Sequence, residues 1–344
     1  WPQVGVPAGN LLAAGLLAAG GTTGAWAQFF GRKPQRLPAG QSIYEATGAV
    51  TVNGGTFDIG AFSDTVGAIT LANGSITGTT GVLTSTGYTV SNGTVSAILA
   101  GAVPLTKTTT GTVTLSGANT YTGLTTISAG TLKLGAAGGA INTPLGTTVA
   151  GTVVSAGATL DLNGFTLGTA EALTLNGTGV GGTAGALTNS SLTAATFSGP
   201  VTLGSDSVIS VSAGSALATT GAINGSFALN VLGGGAVTLG GPIGNSTALA
   251  SLTAAAGTAL TINGGVVSTS GAQTYGGATT FGTATTLTAG SISATGAVSA
   301  TGGAFTLATG AGDVTLNNTT NNIGTVNVTS GANVSLYNSA ALTV

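Results

Sequence analysis

The sequence predicts an all-β chain wound as a β-solenoid. Three observations carry that expectation. Short runs alternate apolar and polar residues, Gly, Asn or Ser interrupts them every few positions, and a turn motif returns along the chain. Alternation with a period of two marks strands with one buried face. Thr112-Val113-Thr114-Leu115 and Leu160-Asp161-Leu162 are examples. After residue 45 no stretch shows a helical period bounded by caps.

Composition narrows the function classes. Of 344 residues only 3% are charged, against about 25% in an ordinary globular protein. There are 62 Gly, and no Cys, His or Met. Zinc, haem and iron–sulfur centres therefore lack their usual ligands, and no cofactor is expected. Five basic residues give no footprint for nucleic acid. A chain this apolar is not of the common disordered type. Its nearly uncharged surface suits contact with other surfaces rather than keeping molecules apart.

Three units follow in order. Residues 1–30 are an apolar N-terminal segment with a tandem LLAAG at Leu11–Gly15 and Leu16–Gly20, then Ala25-Trp26-Ala27. The A-x-A pattern resembles a secretory cleavage site, but no basic region precedes the apolar run. Two readings stay open: an atypical signal, or a retained assembly segment. In the second, Leu11, Leu12, Leu16, Leu17, Trp26, Phe29 and Phe30 seek a neighbouring subunit. The apolar run is too short for the roughly 20 residues of a membrane span. Residues 31–42 form a linker with Arg32, Lys33, Arg36, Pro34 and Pro38. Residues 43–344 are the solenoid.

Repeats set its period. Ser116-Gly117-Ala118-Asn119-Thr120-Tyr121-Thr122-Gly123 returns as Ser270-Gly271-Ala272-Gln273-Thr274-Tyr275-Gly276-Gly277. A small-small-Gly turn precedes a strand at Ser128, Ser155, Ser212, Ala255 and Thr329. Taken as one, three, two and four turns, the gaps between these give about 20 residues per turn, within the solenoid range. Parallel strands would stack at about 4.8 Å, giving about 15 turns. Leu115, Ile127, Leu132 and Leu134 are expected inside, Lys133 outside, and Gly and Asn at the corners. An antiparallel sandwich or barrel array is the alternative for so many short strands.

Residues 105–135, LTKTTTGTVTLSGANTYTGLTTISAGTLKLG, resemble the passenger-associated transport repeat of bacterial autotransporters. Gly54–Leu83 and Ser270–Gly290 are similar to filamentous-haemagglutinin-like repeat exoproteins. The resemblance implies a right-handed parallel β-helix, export from a Gram-negative-type cell and surface display. It implies no shared active site. No outer-membrane barrel follows Val344, so a processed passenger or a separately secreted fibre subunit is expected.

The function expected is structural: a subunit of an extracellular fibre or biofilm matrix, stacked head to tail through open solenoid ends. Leu336, Leu342 and Val344 would join the N-terminal apolar residues at that interface, since the C-terminal segment shows no charge, Pro or evident cap. The alternative is a monomeric adhesin binding a glycan or surface. Tyr44, Tyr88, Tyr121, Tyr275 and Tyr337 would be its stacking platforms, or else plain turn and coil-edge residues. An enzyme is not expected, because hydrolysis of a polysaccharide needs clustered acids. The seven acids (Glu45, Asp58, Asp64, Asp161, Glu171, Asp206, Asp313) are dispersed, and a solvated face or turn accounts for the nearest pairs, Asp58 with Asp64 and Asp161 with Glu171. No acid-rich loop suits calcium. Thr-x-Thr at 106–108 and 112–114 does not recur in each turn, as an ice-binding array would require.

Overall fold

The structure is a computed structural model and describes residues 48–344, with the backbone alone of three two-residue strands before them, Gly15–Leu16, Trp26–Ala27 and Gln35–Arg36. The rest of the segments 1–30 and 31–42, with the candidate interface residues Leu11, Leu12, Leu17, Phe29 and Phe30, lies outside the described residues, as do Tyr44, Glu45 and the side chains of Leu16 and Trp26.

Among the described residues the only helical turn is a three-residue 3-10 piece, Val180–Gly182. All the rest of the regular structure is strand, wound into a parallel β-solenoid of about 14 turns. Each full turn contributes strands to three stacks. The first stack contains one inward column, paired rung by rung from Val50 through Ile69, Tyr88, Leu105, Thr125, Thr152, Leu173 and Val201 to Ile223. It continues through Ile243, Val267, Leu287 and Leu307 to Val328. The second stack carries Leu132, Leu160, Leu187, Ile209, Val231, Ala254, Tyr275, Ala294, Leu316 and Leu336. The third runs from Leu167 through Phe197, Thr219 and Leu239 to Ile262 and Phe281.

Period-2 alternation explains this arrangement. In Gly130–Leu134, Leu132 and Leu134 are fully buried while Lys133 points out. Each such Leu removed from water contributes about 1.5–3 kcal/mol. Backbone hydrogen bonds run along the axis, from Leu105 N to Leu124 O and from Thr125 N to Gly151 O. One aromatic ring enters its column where the neighbours are small. Tyr275 lies between Ala254 and Ala294 in its column and meets Phe281 edge-on at 5.6 Å.

The turn count is lower than expected because two turns are long. Between the paired residues Thr125 and Thr152 the chain leaves the coil for a small antiparallel hairpin, Asn142–Thr143 with Gly146–Thr147. Between Leu173 and Val201 it makes the Val180–Gly182 turn.

The small-small-Gly motif does not mark one corner. Those at Ser128, Ser155 and Thr329 lead from the first stack to the second, ahead of Gly130–Leu134, Ala158–Asp161 and Val334–Leu336. Those at Ser212 and Ala255 lead from the second to the third, ahead of Ala216–Thr219 and Ala259–Ile262. The assignment of one, three, two and four turns therefore fails across corners, although the period near 20 stands.

The Asn/Gln–Tyr repeat is displaced in the same way. Asn119 and Tyr121 lie on the third face, above Leu99, whereas Gln273 and Tyr275 lie in the second stack. Local sequence chemistry recurs without a recurrent place in the coil.

Candidate functional site

The segment with the most unusual chemistry is 105–134 and the two turns after it. Leu105–Lys107 and Thr112–Leu115 occupy the first and second stacks of one turn. Thr125–Ile127 and Gly130–Leu134 lie on them in the next, with Leu105 paired to Thr125 and Val113 to Leu132. The motif is one turn plus the first two strands of the following one.

Lys107 points inward. It is paired with Val90 below and Ile127 above, and is 0% exposed. Its Nζ donates to Thr108 O at 2.5 Å, Thr109 O at 2.9 Å and Ala129 O at 3.0 Å. An ammonium has three donors, so all are used. They tie the corner of one turn to the corner of the next, and two of the carbonyls flank or belong to Thr109, which holds a positive φ of 61°. Burial without an anion pushes the Lys107 pKa down to about 8. At the same corner Gly130 has φ 68°, and a Cβ there would strike the backbone of Thr109 and Gly111.

A second inward polar group sits nearly three turns higher, just ahead of the Leu173 rung. Glu171 is fully buried, and its Oε1 accepts from the Thr152 hydroxyl at 2.9 Å. Its Oε2 has no hydrogen-bond partner, and the buried hydroxyls of Thr147 and Thr169 have none either. Desolvation raises its pKa to about 7, against a smaller lowering by the Thr152 bond. Beneath it, Thr125 is the register partner of Thr152 and shares a 2.7 Å hydrogen bond with the Tyr121 hydroxyl. The Thr125 hydroxyl also lies 2.8 Å from Leu145 O. The expectation that a solvated face or turn explains Asp161 and Glu171 is therefore corrected. Glu171 is in the core, and Asp161 is only 4% exposed. Asp161 accepts from Asn163 N, Ser190 N and Ser190 Oγ, with Lys133 at 3.5 Å. It staples an outward corner.

The tyrosines are also corrected. Tyr88, Tyr121 and Tyr275 are interior residues, neither platforms nor coil-edge positions. Tyr88 and Tyr121 are in ring contact at 6.0 Å. The Tyr275 hydroxyl donates to Gln273 Oε1 at 2.9 Å, and Gln273 Nε2 donates to Val267 O and Thr288 O. Tyr337 alone of the four described is exposed. Asn119 is no surface corner residue: it is buried, accepting from Leu99 N and donating to Pro144 O.

Of the three described interface candidates, Leu336 and Leu342 pack partly against the core and Val344 is 93% exposed. The last turn carries a side-chain cap that the sequence reading missed. Asn338 Oδ1 accepts from Ile323 N at 2.8 Å and its Nδ2 donates to Ile323 O at 2.9 Å. The amide thus imitates a neighbouring strand. Thr343 adds a parallel bridge to Thr325.

The outward surface is rich in hydroxyls. Thr51, Thr70, Thr89, Thr106 and Thr126 form one column. The residues two positions on (Asn53, Ala72, Ser91, Thr108, Ser128) differ, so no paired array repeats. Among the described residues no group of three or more Asp or Glu is placed to hold a metal. No described helix is long and apolar enough to cross a membrane.

No curated protein and no solved structure matches the chain. One protein family does: residues 105–134, the segment built around Lys107 and Tyr121, match the passenger-associated-transport-repeat.

Proposed function

We propose that this protein is an extracellular structural solenoid of the autotransporter-passenger kind, displayed at the surface of a Gram-negative-type cell. The observation that carries the reading is the passenger repeat at 105–134 built in register into one continuous parallel ladder. The role is mechanical rather than catalytic. Of the two nearest acid pairs in sequence, Asp161 and Glu171 are separated by the sheet: one staples an outward corner and the other lies inside.

The finer reading is a homopolymer stacked head to tail, contributing to a fibre or matrix. Its support is Val334–Leu336, the last described second-stack strand. Val334 is 45% exposed, whereas its partner Val314 one turn below is 0% exposed. A further rung on that edge, whether from a second copy, as proposed here, or from more of the same chain, would cover Val334, Leu336 and Tyr337 and extend the ladder. Asn338 leaves this second-stack edge free while it closes the third stack at Ile323. The test is negative-stain microscopy with sedimentation of the 344-residue chain and of Val334→Lys. Filaments from the first and short rods from the second support stacking. Monodisperse rods from both would refute it, leaving a monomeric surface passenger that binds a glycan or surface.

A further inference from the structure

Glu171 is a carboxyl with no cation to answer it. The described residues contain two basic side chains, Lys107 and Lys133. Lys107 is saturated by three carbonyl oxygens, and Lys133 faces outward onto Asp161 and Ser190. The charged and titratable groups around Glu171 are few. From the turns below, the titratable side chain facing it is Tyr121, whose hydroxyl is fully buried and held to Thr125. From the strand beneath, Thr152 offers only a hydroxyl. From the turn above, Gly199 and Pro200 cover it with backbone, and a Cβ on Gly199 would collide with the Glu171 carbonyl. Asp206 in that upper strand is exposed and bonds to Ala228 N. Asp161 on its own turn is turned outward to Lys133.

A buried carboxylate is tolerated only when paired or hydrogen-bonded at both oxygens; otherwise it takes up a proton. Here one oxygen is bonded and the other is bare. The two long turns, Thr125 to Thr152 and Leu173 to Val201, flank the site.

We propose that Glu171 is an internal proton-binding site that makes these rungs a pH-controlled joint in the solenoid. Protonated, the carboxyl is neutral and the rungs at Thr152 and Leu173 close over it. On losing the proton, the buried charge draws water inward and loosens those rungs, while the distant rungs at Ile262 and Leu307 hold. The direction is set by burial: the joint is tight on the acid side of neutrality and weak on the alkaline side. The inference rests on the coil interior alone and is independent of whether the protein polymerises.

The chain has only two Glu residues, Glu45 and Glu171. Selective ¹³Cδ-glutamate labelling of the full chain therefore gives two carboxyl resonances, and Glu171→Gln identifies one by its loss. The expected result is a Glu171 resonance that titrates near neutrality. Titration in the ordinary carboxylate range would overturn the proposal, showing a hydrated or paired group. Hydrogen exchange of the unmodified chain, corrected for intrinsic rates, is a second readout that needs no variant. At pH 8.5 relative to pH 6, amides in 152–154 and 173–175 should lose at least tenfold protection while 260–262 and 305–307 do not. Uniform change along the rod would also overturn it.

Discussion

The half of the solenoid around the passenger repeat and the half beyond Ile223 share one backbone plan and differ in what fills it. In the first, the inward columns include Lys107, Thr125 and Thr152, with Glu171 and Tyr121 beside them. In the second, Ile243, Val267, Leu287 and Leu307 follow one another, and Phe281 and Phe305 pack ring to ring at 4.8 Å. Both long turns fall in the first half. Polar groups inside a coil need partners, and the hairpin supplies one of them, since Leu145 O receives the Thr125 hydroxyl. A column of Ile, Val and Leu side chains asks only for matched volume.

The largest effect is expected at the aromatic contact in the half beyond Ile223. Phe281→Ala should cost about 3–5 kcal/mol, by urea denaturation, because it empties a packed aromatic contact. Next is the pH response of the polar half. The folded-state pKa of Glu171 is raised, so its stability contribution is complete below its unfolded value of 4.5 and is lost as pH rises through about 7. That loss amounts to about 3 kcal/mol and should vanish in Glu171→Gln. Lys107 has the opposite sign. Its folded pKa is depressed, so stability is greatest above the unfolded 10.5 and falls as pH drops toward about 8. Lys107→Met should abolish that alkaline rise. Together the two groups place the stability minimum of the polar half near pH 7–8, with good survival of acid; a maximum there in melts across pH 4–10 would contradict the assignment.

Smaller effects separate corners from faces. Asn119→Ala leaves Leu99 N and Pro144 O unpaired in the core and should cost about 1–3 kcal/mol. Lys133→Ala removes a part-exposed pair and should cost under about 1 kcal/mol. Equal losses from the two would mean that the outward ladder matters as much as the interior corner.

Fold class was legible because alternation and corner Gly repeat often enough to average out errors. Leu132 and Leu134 inside with Lys133 outside follow from phase alone. The same phase, carried through Leu105-Thr106-Lys107, places Lys107 inside; carried back from Leu173 and Leu175, it places Glu171 inside. The signal was present, but side-chain polarity argued for the surface, and only the stacking of carbonyls and hydroxyls from adjacent turns shows how those groups are tolerated. Asn338 escaped for a related reason: its partner Ile323 is 15 residues away, on another stack. Corner identity was not legible, since small-small-Gly suits any sharp bend.

The passenger repeat is built as a parallel, in-register rung. The chain has no Cys, so a double variant is read without background. Thr106 and Thr126 are register partners on the outward face, one turn apart. At about 4.8 Å, Thr106→Cys with Thr126→Cys falls within the reach of a disulfide and should oxidise within one chain. Thr106→Cys with Ile127→Cys should not, since Ile127 faces inward. Oxidation of the second pair and not the first would place the rung one residue out of register and contradict the pairing of Thr106 with Thr126.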